Sequence, residues 1–105
     1  MSEFAAYTTS SEYVASMRAR LRTTTPRLDE EITDLINAAR DDLVLGGVRA
    51  DRVQDEDDPL IKQAISTYLK AEFGLDNDDA ADFRLSYNDL KKRLINSDRY
   101  TVTGG

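Results

Sequence analysis

The chain has 105 residues, of which 40% are hydrophobic and 32% charged, and this composition fits one compact domain with its own core. Cysteine and histidine are absent, which excludes disulfides, thiolate chemistry and the usual proton shuttle of catalysis at neutral pH. The N-terminal residues lack a basic segment followed by an apolar one, and no apolar run is long enough to cross a bilayer. We therefore expect a protein that is made and used inside a cell.

The net charge of −6 is unevenly distributed along the chain. Residues 1–27 carry four basic and two acidic side chains, residues 28–83 carry five and 16, and residues 84–105 carry five and two, which gives +2, −11 and +3. The acidic middle argues against general binding of duplex DNA, which requires a basic footprint. Solubility explains such a surface, and the alternative is a pair of complementary faces in a self-assembling protein.

The first half of the chain predicts an arm and two helices. Residues 1–9 show no periodicity, and Thr9 and Glu12 have the spacing of a capping box at the start of a first helix. The second helix is expected to begin with Thr25 as N-cap and Pro26 in the first turn, and to end at 46–47, where two glycines follow one another.

The middle of the chain predicts a polar loop over residues 49–58, whose one apolar residue, Val53, is expected to fold back onto the bundle. A third helix then runs from Pro59 towards Gly74, with Asp57 or Asp58 as its N-cap. Its broad apolar stripe predicts the centre of the core, and its members are Leu60, Ile61, Ala64, Ile65, Tyr68, Leu69 and Phe73.

The last long helix is expected to follow a cap at Asp78 or Asp79. Leu85 and Ile95 lie off its apolar seam and predict a second buried edge, while residues 100–103 could form an extended segment. The prediction is therefore an all-α fold: a single domain over 1–105, a bundle of three to four helices over about 10–96, and flexible arms at 1–9 and 97–105. The seam itself consists of Ala80, Phe83, Tyr87, Leu90 and Leu94.

No pattern of side chains predicts an enzyme, a cofactor site or a metal site. The acidic run Asp55, Glu56, Asp57 and Asp58 lacks the alternating ligands and the mid-loop glycine of a calcium loop, and helix capping explains it more simply. The serines have no histidine to activate them, and no Gly-rich phosphate loop is present. We therefore predict no catalytic residue.

Four arginines near the N-terminus leave a second class of function open. They could contact phosphate, although the helix starts at 59–61 and 80–82 lack the polar and basic residues of a DNA-reading helix. The alternative function is thus a small helical regulator that binds DNA or another protein. The arginines are Arg18, Arg20, Arg22 and Arg27.

Three segments together resemble the head–tail connector proteins of tailed bacteriophages and prophages. They are the helix over 28–45 that ends in Gly-Gly-Val, the block DDPLIKQAISTYLKAEFG at 57–74, and DFRLSYNDLKKRLINSDRY at 82–100. The resemblance covers roughly residues 27–100 and rests on packing and capping signatures, so the role of residues 1–26 stays open.

The resemblance implies a structural protein of the virion, made in the host cytoplasm, without enzymatic activity or cofactor. It implies a homo-oligomeric ring, expected to be dodecameric in the virion, that binds below the portal protein, extends the DNA channel and docks the next head-completion or tail protein. Packaged DNA would pass through without sequence-specific binding, and no membrane is involved. The arms are expected to become ordered on these partners.

The charge distribution suggests where the subunits of such a ring would meet. A ring uses heterologous interfaces, in which one face of a subunit meets a different face of its neighbour. We expect the basic end of the last helix to pack near an acidic region of the adjacent subunit, either residues 55–58 or residues 29–34. The candidate interface residues are Lys91, Lys92, Arg93, Asp55, Glu56, Asp57 and Asp58.

Overall fold

The computed structural model describes residues 7–21, 29–73 and 78–101, and within these ranges the chain is helical without any strand. The predicted all-α fold is confirmed. The described elements are α1 (Ser11–Arg20), α2 (Asp29–Gly46), α3 (Ala50–Val53), α4 (Pro59–Glu72), α5 (Ala80–Ile95) and α6 (Asp98–Thr101). The predicted cap at Thr25 and Pro26 and the predicted stop at Gly74 lie outside the described residues.

Helix α4 lies at the centre of the core, as its apolar stripe predicts. It packs against α2 on one side and α5 on the other, and α1 covers α2. Tyr68 and Phe73 are partly buried against the core. Four α4 side chains are completely buried, namely Ile61, Ala64, Ile65 and Leu69.

The start of α4 is fixed by Asp58, one of the two predicted caps. Its Oδ1 accepts hydrogen bonds from the backbone N–H groups of Leu60 (2.9 Å) and Ile61 (3.2 Å), and Pro59 occupies the first turn. The same carboxylate accepts a hydrogen bond of 3.1 Å from the Tyr100 hydroxyl. One buried aspartate therefore joins the α4 start to α6.

Replacing Asp58 with alanine should lower the free energy of unfolding by about 2 kcal/mol, because the α4 amides lose their cap and the Tyr100 hydroxyl loses its acceptor. The measurement is urea unfolding followed by circular dichroism. Asp57→Ala is the matched control, since Asp57 is the exposed neighbouring aspartate and its loss should cost less than about 0.5 kcal/mol. Equal effects of the two substitutions would contradict the capping role.

The end of α2 follows the predicted pattern of a glycine stop with an apolar contact. Gly47 has a φ of 121°, a value that side chains disfavour, and its N–H donates to the Val44 carbonyl. The Val48 N–H donates to the Leu43 carbonyl, and the Val48 side chain is buried. A Cβ at Gly46 would lie 2.8 Å from Lys91 Cε, so the ends of α2 and α5 are in close contact.

Several sequence predictions about individual residues are wrong. The N-cap of α1 is Ser10 and not Thr9, because the Ser10 Oγ accepts a hydrogen bond from the Tyr13 N–H. Leu60 and Leu85 were predicted to be buried, but they are 44% and 68% exposed. Leu60 lines a cavity together with Leu90 and Leu94 of α5, which cover it only in part, whereas Leu85 lies outside that cavity.

The segments next to the long helices are more ordered than predicted. The polar loop 49–58 contains the single-turn helix α3, which places Val53 in the core as expected. The sequence predicts a flexible arm over 97–105 in which residues 100–103 could be extended, but Asp98–Thr101 form α6 and Tyr100 is buried, while residues 102–105 lie outside the described ranges. In the N-terminal arm, the Tyr7 hydroxyl donates to Asp41 of α2 (2.8 Å). These short segments close the bundle by contacts with residues distant in sequence.

Candidate functional site

The structure separates the predicted basic residues at the end of α5. The Lys91 Nζ lies 3.0 Å from Asp42 Oδ2 of the same chain, and the Lys91 side chain is largely covered. Arg93 pairs with Asp89 one turn earlier at 3.1 Å, but its side chain is 74% exposed. Lys92 is exposed as well. Lys92 and Arg93 are therefore the members of this group that another molecule can reach.

The predicted acidic residues also form two groups, one held by contacts within the chain and one exposed. Glu56 accepts hydrogen bonds from the Ser10 N–H (2.9 Å) and the Ser10 hydroxyl (2.5 Å), so it holds the start of α1. Asp58 is the buried cap of α4. Asp55 and Asp57 are exposed, although Asp55 also accepts a hydrogen bond from the Asp57 N–H.

The two groups lie at the same end of the α4–α5 hairpin. Leu60, in the first turn of α4, and Leu94, near the end of α5, line one cavity together with Arg93. Asp58 is in contact with Tyr100 of α6 through their hydrogen bond. The structure thus brings the exposed cations and the exposed carboxylates to one end of the molecule.

A buried arginine that sequence reasoning missed organises the N-terminal part of the chain. Arg40 is completely buried, and its Nε donates to the Val53 carbonyl (3.1 Å), while Nη1 donates to the Thr9 hydroxyl (2.8 Å). Its guanidinium carbon lies 5.5 Å from the centres of both the Tyr7 and Tyr13 rings. Burial lowers the pKa of Arg40 below its ordinary value. This arginine is a structural cation without access to solvent.

The arginines of α1 that could have contacted phosphate are engaged within the chain. Arg18 forms an ion pair with Asp29 at 2.7 Å, and Arg20 donates a hydrogen bond to the Ser66 hydroxyl (3.3 Å). Arg22 and Arg27 lie outside the described residues. The intramolecular contacts of Arg18 and Arg20 therefore reduce the support for the DNA-binding alternative.

A second polar cluster lies where α2 meets the α4–α5 hairpin. The Tyr87 hydroxyl donates to Asp42 Oδ2 (2.6 Å), and the Tyr68 and Tyr87 rings meet edge to face with their centres 5.1 Å apart. Burial, the hydrogen bond and the charge of Asp42 all raise the pKa of Tyr87 far above its ordinary value. A phenol of this kind stays protonated at neutral pH, so it acts as a hydrogen-bond donor and not as a general acid or base.

The opposite side of the α4–α5 hairpin is an open groove. One end is a cavity of about 180 Å³ lined by Leu60, Leu90, Leu94 and Tyr100. The other end is a cavity of about 320 Å³, where the Lys70 Nζ lies 5.7 Å from the centre of the Phe83 ring. We call this the α4–α5 groove, lined by Leu60, Thr67, Lys70, Phe83, Leu90 and Arg93.

Two further properties concern only the described ranges. Within residues 7–21, 29–73 and 78–101, no group of three or more acidic side chains is arranged to hold a metal ion. None of the helices in the same ranges is both long enough and apolar enough to span a membrane.

The structure is a small helical bundle whose accessible features are an exposed charged end and an open groove. Such features are typical of structural and interaction proteins. A comparison with protein families agrees: the phage connector protein family matches residues 14–101. The chain belongs to this family. The match includes most of α1, a part of the chain whose role the resemblance seen in the sequence left open. Comparisons with curated proteins and with solved structures find no match.

Membership gives the protein a connector-type structural role in a phage virion, where it contacts other virion proteins. The family is a structural one.

Proposed function

We propose that this protein forms a homo-oligomeric ring below the portal, extends the DNA channel and provides the surface on which the next head-completion or tail protein docks. The observation that carries the proposal is the family match, which spans most of α1 and continues through α6. The excess of acidic side chains supports it, because a negatively charged channel repels the phosphates of packaged DNA and lets the duplex slide.

The proposed contact between subunits uses the exposed cations at the end of α5. Lys92 and Arg93 of one subunit would meet exposed carboxylates of its neighbour, at Asp55 and Asp57 or at the start of α2. Lys91, Glu56 and Asp58 contribute indirectly, because their intramolecular contacts hold the two groups in place. Charges of opposite sign at a subunit interface steer association and make it sensitive to salt.

The test is the assembly of the purified chain, alone and with the portal protein of the same genome, followed by sedimentation and negative-stain microscopy at several salt concentrations. Arg93→Glu should raise the protein concentration needed for assembly about tenfold, which corresponds to about 1.4 kcal/mol. Lys92→Glu should act in the same direction.

Arg84→Glu is the matched control for Arg93→Glu. Arg84 lies on the same helix, its side chain is 58% exposed, and it too forms an exposed ion pair, with Glu72. We expect Arg84→Glu to assemble as the unsubstituted chain does. If Lys92→Glu and Arg93→Glu both assemble like the unsubstituted chain at every salt concentration, the proposed contact is wrong. If no ring forms with or without the portal, the proposed function is wrong.

A further inference from the structure

The N-terminal strap, which we define as residues 7–9, lies across the buried guanidinium of Arg40. The Tyr7 hydroxyl donates to Asp41 (2.8 Å), and the Thr9 hydroxyl accepts a hydrogen bond from Arg40 Nη1 (2.8 Å). The guanidinium carbon lies 5.5 Å from the centre of the Tyr7 ring, and none of the Arg40 side chain is exposed. The strap is therefore part of the cover that keeps this arginine out of water.

The strap is held by few contacts, and these involve side chains. Within the described residues, no backbone–backbone hydrogen bond involves residues 7–9. The bond from the Thr8 N–H to Gln54 Oε1 is long, at 3.5 Å, and exposed, and Tyr7 is only partly buried. Each of these hydrogen bonds replaces one made with water, and ordering the strap backbone costs conformational entropy that opposes their net gain. The closed strap is therefore only weakly favoured over an open one.

Closing the strap also has a cost at Arg40. Its Nη2 is buried without a hydrogen-bond partner in the described structure, and Glu56 Oε2, with which it forms an ion pair, lies 3.9 Å away. A buried charged donor that lacks an acceptor has lost the water that it would otherwise bind. Opening the strap exposes the guanidinium to water and so relieves this penalty.

The residues on either side of this contact are held independently of the strap. Ser10 stays in place because Glu56 accepts hydrogen bonds from its N–H (2.9 Å) and its hydroxyl, and because it caps α1. Arg40 stays in place because its Nε donates to the Val53 carbonyl (3.1 Å). An open strap therefore pivots at Ser10 and leaves the helices and the anchor of Arg40 unchanged.

We infer that the N-terminal strap is a cover that opens and closes while the bundle stays folded, and that its opening presents the anchored Arg40 guanidinium to solvent. The closed state hides this cation. In the open state the cation can donate to an acceptor on another molecule. The opening is a property of the single chain, so it does not depend on the proposed ring.

The test is modification of arginine by phenylglyoxal in the full, folded chain, with mass spectrometry to identify the modified residue. Modification is slow compared with the motion of a short segment, so its rate follows the fraction of molecules in the open state. The rate at Arg40, divided by its rate in the urea-unfolded chain, gives that fraction.

Hydrogen exchange provides the reference for opening of the whole bundle. The reference amides are those of Ile65 and Leu69, whose side chains are completely buried in α4, and we call them the α4 core amides. Their protection gives the fraction of molecules in which the bundle itself is open. We expect the open fraction measured at Arg40 to be larger, by a factor on the order of a hundred, because local opening requires less free energy than global unfolding.

Two matched substitutions assign the opening to the strap. Tyr7→Phe removes the phenol bond to Asp41, and Tyr87→Phe removes the corresponding bond from α5 to the adjacent Asp42. We expect Tyr7→Phe to raise the modification rate at Arg40 about fivefold, because the closed state loses one hydrogen bond, and to leave the α4 core amides equally protected. Tyr87→Phe should have the opposite pattern: an unchanged rate at Arg40 and weaker protection of the α4 core amides.

Two results would each overturn the inference. One is modification of Arg40 no faster than the opening of the α4 core amides allows, and the other is a Tyr7→Phe variant in which Arg40 reacts at the unsubstituted rate. Both measurements use the unassembled chain, so a failure of the proposed ring would leave them unaffected.

Discussion

Arg40→Ala is expected to lower the free energy of unfolding by about 3 kcal/mol, because it removes one partner of a buried charged network. The substitution removes the hydrogen-bond donor of the Val53 carbonyl and of the Thr9 hydroxyl. It also removes the cation that lies close to the Tyr7 and Tyr13 rings. Glu56, whose carboxylate lies 3.9 Å from Arg40 Nη2, loses its counter-charge. Urea unfolding followed by circular dichroism measures the effect.

Arg84→Ala is the control for a surface arginine. Its ion pair with Glu72 is exposed, and the loss of such a pair costs less than about 1 kcal/mol. A second readout reports the position of the N-terminal segment: amide hydrogen exchange at Tyr7 to Ser10 should accelerate in Arg40→Ala and stay unchanged in Arg84→Ala. Similar stability and exchange in the two variants would show that Arg40 does not organise this part of the chain.

Alkaline pH should unfold the protein, because all five tyrosines of the sequence have a raised pKa in the folded state. Burial is the main cause in each case, and it raises the pKa of Tyr7 and of Tyr13 to about 12. The folded pKa lies above the unfolded value of about 10, so the unfolded chain loses its phenol protons first. The contribution of the protonated tyrosines to folding stability is thus complete below a pH of about 10 and is lost as the pH rises towards about 12.

Helicity from circular dichroism and phenolate absorbance, recorded together, check this prediction. The two transitions should coincide and be steeper than the titration of a single group. Tyr13→Phe tests the cause, because the Tyr13 hydroxyl is buried without a hydrogen-bond partner in the described structure. The variant should keep its stability at neutral pH and unfold at a higher pH than the unsubstituted chain. Phenols that titrate near pH 10 while the helices persist would refute the prediction.

The sequence predicts the long helices well because their limits depend on local chemistry. The cap of α4 needs only an aspartate before a proline, and the end of α2 needs only adjacent glycines followed by valine. Both features lie where the sequence places them. By contrast, α3 and α6 have four residues each, which is too few for a periodic pattern to indicate a helix.

The local sequence pattern indicates that Arg40 is buried, but no local pattern identifies its hydrogen-bond partners. It lies four residues after Ile36 and three before Leu43, and therefore beside the apolar stripe of α2. Its hydrogen-bond partners Thr9 and Val53 are 31 and 13 residues away, in segments without regular patterns. The same reason explains why Lys91 and Glu56 could not be recognised as intramolecular partners from spacing alone.

The hydrogen bonds between helices have a consequence for how the protein responds to ionic strength. Three tyrosine hydroxyls donate to aspartates of distant elements: Tyr7 to Asp41, Tyr87 to Asp42 and Tyr100 to Asp58. A bond between a neutral phenol and a carboxylate has only one charged partner, so mobile ions screen it less than they screen an ion pair. The monomer can therefore remain folded across salt concentrations that weaken attraction between the charged surfaces of neighbouring copies, and ionic strength becomes a means to assemble or dissociate the protein without unfolding it.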